Sequence, residues 1–512
     1  MSKKVVFKPY NQDQLSLLPP SYDDLVPANH PVRIVSTIID HLDISALEKS
    51  YKGGGTSSYH PRMLLKVIIY GYLRNLYSSR KIEQALYENI HFMWLSGQSK
   101  PDHNTINDFR GKRLQAHLKK IFHQVVVLLA EEGVLSLKDV FVDGTKIEAN
   151  ANRYTFVWGK SIKTNKERVK KQLKELWSYV EKVYKEEQKT PNQPDFEAIS
   201  SDKIEATINK INDALQGKDI DKKVKQKLNY AKKNWPDNMV KYEKQEAILK
   251  QRNSYSKTDP DATFMRMKDD HMQNGQLKPA YNIQASTNNQ YLTNYTLAQT
   301  TADTTTLKAH IADHIENYNQ TPETLTADAG YGSEENYTDL EHKNITAFVK
   351  YNYFHKEQQD KKKGKINPFH PDQLHYNKET DTYYCPMGQA IRCIGSYKKK
   401  TTNGFEQEIH RYQAQNCHGC PLRIRCHKSK HNRIIERNYN LIRLKSQAKA
   451  LLTSQQGIAK RKQRCWDVEA VFGNIKHNMN FKRFMLRGLD KVNVEIGLIA
   501  MAHNLKKYSL VI

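Results

Sequence analysis

The sequence predicts a mixed α/β protein in which short strands alternate with helices. Two runs of strand-forming residues, within 139–145 and 324–333, each carry an aspartate followed closely by a glycine. A third region, residues 281–297, holds two strand-forming runs on either side of Asn288-Asn289, which is typical of an antiparallel hairpin. Other stretches repeat apolar residues every three or four positions, and this is the period of a helix.

The composition indicates the partner and the compartment. The 512 residues include 81 Lys and Arg against 55 Asp and Glu, a formal net charge of +26, which favours a polyanion and above all nucleic acid. The first residues contain no apolar segment typical of a secretory signal. The sequence also contains no run of about 18 apolar residues, so no transmembrane helix is predicted. We therefore expect a cytoplasmic protein that is associated with the nucleoid.

Residues 1–135 are predicted to be helical. An apolar helix begins at Pro61, a second follows Ser78-Ser79, and a third runs from about Asn104 to Leu129. Short helices with a basic surface suit a helix-turn-helix DNA-binding module, and Arg110 is a candidate DNA contact. A plain helical bundle fits the same pattern.

The next feature is an aspartate that ends a strand-forming run. Asp143 follows Val140-Phe141-Val142, and a strand that ends on a carboxylate can hold a metal ligand rigidly. The alternative is a tight hairpin turn, because Asp-Gly between apolar runs is a strong hairpin signal. Residues 145–150 are then a second short strand or the end of the first.

Residues 160–250 are predicted to form an antiparallel helical insertion. Apolar residues repeat at spacings of three and four in three segments, with breaks near 191–194 and at Gly217. The repeating residues are Val169, Leu173, Leu176, Val180 and Val183, then Ile204, Ile208, Ile211 and Leu215, then Val224, Leu228, Ala231 and Trp235.

The strand and helix signals alternate again after residue 279. Asp303 is predicted to cap a helix through Leu307 and Ile311. A strand then leads to Asp328, Ser333 caps the next helix, and residues 345–349 form a further strand. The last two helices run from about Gln455 to Asn478 and from Asn493 to Lys507.

One of these last helices carries a third candidate carboxylate. Val468, Val471, Phe472 and Ile475 form an apolar stripe, and Glu469 borders it. We expect Glu469 to converge with Asp143 and Asp328. Three carboxylates in a basic chain suit phosphoryl transfer with two Mg²⁺ ions, because Mg²⁺ prefers oxygen ligands.

The cysteines form a separate feature within residues 352–435. Cys385, Cys417, Cys420 and Cys426 are the predicted ligands of a structural zinc ion, with Cys393 or His427 as substitutes. Free buried thiols explain the same pattern equally well, and an iron–sulfur cluster is a third interpretation.

Several motifs carry a resemblance to a known family. They are Phe141-Val142-Asp143-Gly144-Thr145, Thr326-Ala327-Asp328-Ala329-Gly330-Tyr331, and Val468-Glu469-x6-Lys476 followed by Phe481-Lys482-Arg483-Phe484 and Arg487-Gly488. With these motifs the chain resembles bacterial insertion-sequence DDE transposases, most closely the IS eleven-eighty-two group. The stretches 59–62 and 101–106 resemble the InsH-type N-terminal domain of the same proteins.

The resemblance implies a fold and a catalytic triad. We expect an RNase H-like core with Asp143, Asp328 and Glu469 as the triad, holding Mg²⁺ or Mn²⁺. In the related pattern Tyr-x2-Arg-x3-Glu-x6-Lys, Glu469 and Lys476 fit. The arginine place holds Cys465, one residue after Arg464, and the tyrosine place holds Lys462.

The resemblance also implies a domain plan and a function. Residues 1–135 form the DNA-binding domain, and residues 136–512 form the catalytic domain, interrupted by the insertions at 160–250 and 352–435. The protein is expected to cleave and join DNA at the terminal inverted repeats of its own element, as a homo-oligomer, a dimer, on DNA. Lys476, Arg483, Arg487 and Arg110 are the predicted DNA contacts. A non-catalytic DNA-binding protein and a nuclease without strand transfer are the alternatives.

Overall fold

The computed structural model describes residues 20–51, 58–186, 200–218, 220–267, 275–362, 364 and 367–511. The chain divides into two compact units, residues 1–129 with 494–512, and residues 130–493. The predicted helix break at 191–194 lies outside the described residues. Within the described ranges, no helix is both long enough and apolar enough to cross a membrane.

The first unit is helical. Its helices are α1 (Pro31–His41), α2 (Ser45–Glu48), α3 (Pro61–Leu73), α4 (Ser79–Glu88), α5 (Ile90–Leu95), α6 (His103–Asp108), α7 (Leu118–Glu131) and the later part of α17 (Leu489–Tyr508). Helix α3 begins at Pro61 as predicted, and nearly all of it is buried. The predicted helix from Asn104 to Leu129 is interrupted by a π-helical turn, Phe109–Arg113, which contains the poor helix former Gly111.

The placement of Arg110 argues against its predicted role as a DNA contact. Arg110 is only 2 % exposed. Its Nη1 donates to the Tyr72 hydroxyl at 3.0 Å and to the Tyr77 carbonyl at 2.6 Å. The Tyr72 hydroxyl in turn donates to Glu495 at 3.1 Å. A guanidinium that is buried and bonded in this way stabilises the helical core, and it does not reach a DNA phosphate in this conformation.

The second unit is built on a six-stranded sheet. Its strands are β1 (Asp139–Glu148), β4 (Thr263–Arg266), β5 (Leu277–Asn288), β6 (Tyr291–Ala298), β7 (Thr324–Ala327) and β8 (Thr346–Val349). The order is β4-β5-β1-β7-β8, and β6 also pairs with β5. Strands β4, β5, β6 and β1 pair antiparallel, whereas β7 is parallel to both β1 and β8.

Strand β1 corrects the interpretation of the Asp143-Gly144 pair. The strand continues to Glu148 and pairs with β5 from Phe141 to Glu148, so neither a hairpin turn nor a strand end occurs at Asp143. The local turn preference of Asp-Gly is overridden because eight consecutive residues form a ladder with β5. Only the parallel pairing with β7 stops there, at Val142 and Ala327.

The predicted hairpin at residues 281–297 is confirmed. Strands β5 and β6 are joined by Asn289 and Gln290, whose φ angles are 50° and 62°. A two-residue loop with both residues in the left-handed region matches the twist of the strands that it connects.

Helices pack on this sheet and form its core. They are α11 (Leu307–Tyr318), α12 (Glu334–His342), α13 (Phe354–Lys362), α15 (Tyr439–Thr453) and α16 (Gln455–Gly473), which continues as a π-helical turn at Asn474–Asn478. Val140 and Val142 of β1 share one apolar cluster with Leu325, Phe348 and Leu444. Helix α16 contacts β1, β5, β7 and β8, which brings its residues to the sheet.

The segment predicted to be a helical insertion contains three helices that pack on one another. They are α8 (Gly159–Glu186), α9 (Ser201–Leu215) and α10 (Lys222–Leu249), flanked by the paired strands β2 (Phe156–Trp158) and β3 (Ser254–Ser256). Of the 13 repeating apolar residues, 11 belong to one buried cluster, and the partly buried Val183 and Val224 pack against it.

The cysteine-containing segment forms a second sheet. Its strands are β9 (His375–Asn377), β10 (Thr382–Tyr384), β11 (Ala390–Lys400), β12 (Glu406–Ala414) and β13 (Ile434–Arg437), paired in the order β13-β12-β11-β10-β9, with the short helix α14 (Arg423–Cys426). Buried Glu334 of α12 contacts this sheet, because its carboxylate accepts a hydrogen bond from Gln407 of β12. It also accepts hydrogen bonds from Asn438 and Asn440 at the start of α15.

Candidate active site

The two predicted aspartates follow the last paired residues of two parallel strands. Val142 of β1 is in register with Ala327 of β7, so Asp143 is the next residue of β1 and Asp328 directly follows the end of β7. Neighbouring strands are about 4.8 Å apart, and residues in register point to the same face. Asp143 is buried at 8 % exposure, and Asp328 is partly exposed. The chain turns after Asp328, whose Oδ1 accepts a hydrogen bond of 2.8 Å from Gly330 N–H.

Arg464 connects Asp143 with Glu469. Its Nη1 donates to Asp143 Oδ2 at 3.0 Å, and its Nη2 lies 3.5 Å from Glu469 Oε1. The Arg464 side chain is 8 % exposed, whereas the Glu469 side chain is 59 % exposed. Val468 and Val471 on the same helix are fully buried, so the apolar stripe fixes α16 and leaves Glu469 at its margin.

A buried hydrogen-bonded chain lies next to the aspartates. The Tyr331 hydroxyl donates to Gln284 Oε1, and Gln284 Nε2 donates to Asp303 Oδ1 at 3.0 Å. Asn282 Nδ2 donates to the same Asp303 oxygen at 2.7 Å. Tyr331 is fully buried, so this chain fixes the turn after Asp328 against strand β5.

The electrostatics show that the carboxylates gather around Tyr331. Burial raises the pKa of the Tyr331 hydroxyl well above its usual range, and the charges of Asp303, Asp143 and Asp328 raise it further. The charge of Arg464 acts in the opposite direction. Burial, followed by the charge of Arg464, lowers the pKa of nearby Lys350, while Asp328 opposes this effect. A concentration of negative charge is therefore present at this edge of the sheet.

The donor chemistry suits a hard divalent cation, although the conformation described is not arranged around one. Carboxylate oxygens are the ligands that Mg²⁺ and Mn²⁺ prefer. Within the described ranges, no group of three or more His, Cys, Asp or Glu side chains is placed to hold a metal ion. The guanidinium of Arg464 lies between Asp143 and Glu469, the two carboxylates that it pairs.

Sequence reasoning missed two residues at this site. Asp303 was predicted to cap a helix, whereas its carboxylate accepts from two amides of β5. Arg464 stands one residue before the arginine place of the motif, and no role was predicted for it. Its closeness to that place was the available signal, because a long arginine side chain can reach a site from a neighbouring helix position.

Two family models match the chain. A transposase DDE domain matches residues 384–509, and the transposase domain DUF772 matches residues 20–112. Together they support an insertion-sequence DDE transposase. No curated protein matches the chain.

The two matches cover different parts of the chain. The DDE match contains Glu469, Arg464, Lys476 and the cysteines, and it does not extend to Asp143 or Asp328. The DUF772 match covers helices α1–α6 of the first unit. The assignment of Asp143 and Asp328 therefore depends on the sheet register and on their motifs.

Two of the predicted DNA contacts of the transposase lie along one segment at the end of β1. Arg483 Nε donates to the Ala149 carbonyl at 3.2 Å, and Arg487 Nε donates to the Asn150 carbonyl at 2.7 Å. Both residues are exposed. Lys476, in the π-helical turn that follows α16, is partly buried. Arg483 and Arg487 thus stabilise the backbone after β1 and keep part of each side chain at the surface.

The cysteines predicted to bind zinc line one cavity. Cys385, Cys417, Cys420 and Cys426 contribute to its wall, as does His427, whose two ring nitrogens are buried without a hydrogen-bond partner. The backbone nitrogen of Arg433 lies 3.4 Å from Cys417 Sγ, and Nη1 of the Arg433 side chain lies 3.2 Å from Cys426 Sγ. Cys393 is exposed on β11 and does not line this cavity. None of the six cysteines forms a disulfide, and zinc binding stays a prediction.

Proposed function

We propose that this transposase cleaves DNA at the ends of its insertion sequence and joins those ends to a target by two-metal phosphoryl transfer. The observation that supports this most directly is the parallel register of β1 and β7, which ends at Val142 and Ala327, the residues immediately before Asp143 and Asp328. Arg464 then links Asp143 to Glu469, so all three predicted carboxylates belong to one electrostatic cluster.

The strand order supports an RNase H-like core. Three strands pair antiparallel in the order β6-β5-β1, and two further strands continue parallel as β7 and β8. The catalytic carboxylates would come from the central strand, from its parallel neighbour and from helix α16. This arrangement uses rigid elements to position the charged groups, which a site with several ligands requires.

Each side chain would have a defined role. Asp143 and Asp328 would hold the cations between them, and the exposed Glu469 would complete the ligand set from α16. Arg464 offsets the negative charge of Asp143 and Glu469 in the conformation described. When bound, the divalent ions would activate the attacking water or 3′-hydroxyl and stabilise the leaving oxygen.

Basic residues would hold the DNA. We expect Arg483, Arg487 and Lys476 to contact phosphates near the carboxylates, and the helices of the first unit to read the element ends. Binding should weaken strongly with salt, because lysines and arginines release condensed counterions. A dimer on DNA remains a prediction.

The test is a cleavage and joining assay on DNA that carries the element ends, with Mg²⁺ and purified full-length protein. Asp143→Asn, Asp328→Asn and Glu469→Gln should each abolish cleavage while a gel-shift shows DNA binding retained. The amides keep the size of the side chain and lose the charge that a divalent cation requires.

The outcomes separate the candidates. Near-normal cleavage by Asp143→Asn would contradict the proposed role of that residue. Cleavage by the wild-type protein without joining would indicate a nuclease. Binding without cleavage at any Mg²⁺ or Mn²⁺ concentration would indicate a non-catalytic DNA-binding protein.

A further inference from the structure

The side chain of Asp303 does not cap a helix, although the sequence predicts that it does. It opens the 3₁₀ turn Asp303–Thr305 before α11, and the N-cap of α11 is Thr306. The carboxylate instead accepts hydrogen bonds on Oδ1 from Asn282 and Gln284 of strand β5. These bonds hold it beside the part of β5 that pairs with Gly144 of β1.

Its position is between the two segments that carry the aspartates. A Cβ atom built on Gly144, the residue after Asp143, would lie 2.7 Å from Asp303 Oδ1. A Cβ atom built on Gly330, two residues after Asp328, would lie 3.9 Å from Asp303 Cβ. Thr304 Oγ1 also donates to the Gly330 carbonyl at 2.7 Å. Both segments thus approach Asp303 through a glycine that leaves room for it.

Within the described part of the chain, no basic side chain pairs with Asp303. Among the ion pairs of the described residues, none includes Asp303, and its two hydrogen-bond donors are neutral amides. The carboxylates of Asp143 and Asp328 belong to the same cluster around Tyr331. Like charges that are gathered and partly buried are unfavourable unless a cation joins them.

Arg464, which pairs with Asp143, keeps one buried donor unbonded. Arg464 is 7 % exposed, and among the described residues its Nε has no hydrogen-bond partner, although Nη1 and Nη2 pair with Asp143 and Glu469. Buried donors are nearly always bonded in native proteins. An unbonded buried guanidinium N–H suits an incoming anionic oxygen, such as that of a DNA phosphate.

We propose that Asp303 is a fourth carboxylate of the catalytic centre, a positioning residue that strengthens divalent-cation binding at Asp143 and Asp328. This inference rests on the proposed two-metal function. The residue adds negative charge where the cations would bind, and the amides of Asn282 and Gln284 fix its direction.

Two substitutions separate the charge of Asp303 from its hydrogen bonds. Asp303→Asn keeps an Oδ1 that accepts from Asn282 and Gln284, and it removes the charge. Asp303→Ala removes both. Glu323→Gln is the matched control, because Glu323 is an exposed residue of the same unit. Its Oε1 forms an ion pair with Lys138 Nζ at 3.1 Å.

The experiment measures Mn²⁺ binding to the full-length protein by calorimetry, and the Mg²⁺ concentration that gives half-maximal cleavage. For Asp303→Asn we expect the affinity for Mn²⁺ to fall by about tenfold or more, and the Mg²⁺ concentration for half-maximal cleavage to rise by a similar factor. The cleavage rate at saturating Mg²⁺ should fall by less. The melting temperature of Asp303→Asn should match that of Glu323→Gln, and Asp303→Ala should melt lower.

The outcomes distinguish this inference from the function on which it rests. If Asp303→Asn binds Mn²⁺ and responds to Mg²⁺ like the wild type while Asp143→Asn does not, only the role of Asp303 is refuted. A melting temperature of Asp303→Asn as low as that of Asp303→Ala, with unchanged cation affinity, would make the residue purely structural. If Asp143→Asn also leaves Mn²⁺ binding unchanged, the proposed function itself fails.

Discussion

Replacing Arg464 by methionine should destabilise the second unit mainly because the buried ion pair with Asp143 is lost. Loss of the exposed pair with Glu469 should contribute little. The guanidinium contacts Asp143, whose side chain is 11 % exposed, and Glu469, whose side chain is 59 % exposed. Removing one partner of a buried pair leaves an uncompensated charge and costs about 3–5 kcal/mol. An exposed pair contributes only about 0.2–1 kcal/mol.

This asymmetry gives a quantitative prediction for double-mutant cycles. Arg464→Met combined with Asp143→Asn should show a coupling energy of about 2–3 kcal/mol, because each single variant leaves the other group buried and unpaired. Arg464→Met combined with Glu469→Gln should show a coupling of about 0.5 kcal/mol.

Urea unfolding without divalent cations measures these energies. Tryptophan fluorescence reports mainly on the second unit, because only Trp94 of the 5 tryptophans lies in the first. Since the chain has two compact units, the transition of the second unit must be fitted separately. Equal coupling energies for the two pairs, or full stability of Arg464→Met, would refute the assignment of a buried pair and an exposed pair.

Three further predictions concern other parts of the second unit. Gly144→Ala should destabilise the protein by about 1–3 kcal/mol and reduce cleavage, because the added Cβ would lie 2.7 Å from Asp303 Oδ1 and 2.9 Å from Gln284 Nε2. Gly473→Ala, which meets no atom within 4 Å, is its control in the same urea assay, and equal stability of the two variants would contradict the packing argument. Burial lowers the pKa of His314 to about 4, so stability should fall by up to about 3 kcal/mol as the pH decreases from about 6.5 to 4. His314→Leu should remove that part of the pH dependence in acid-denaturation curves, and an unchanged slope would refute it. Elemental analysis should find about one zinc per chain, lost in Cys420→Ser and retained in Cys393→Ser, since ligation needs the cysteines of the cavity. Protein without zinc or iron would leave the four cysteines as free thiols.

Local signals determined much of the secondary structure. The spacing of apolar residues predicted the three insertion helices, since a helix must bury one face. The hairpin at 281–297 and the cap at Ser333 were also predictable, because turn residues and capping side chains act within a few positions of the chain. The charge of the chain indicated a polyanionic partner, and the motifs indicated a transposase.

The tertiary structure decided where the predicted groups lie. Asp143 is within a strand and not at a turn, because pairing with β5 outweighs the preference of Asp-Gly. Arg110 is buried against Tyr72, although arginine at a polar helix start reads as a surface residue. Asp303 and Arg464 join the cluster around Asp143 through contacts between residues that are 19 to 321 positions apart in the sequence. Periodicity and capping rules describe only near neighbours in the chain, so they cannot supply contacts of this kind.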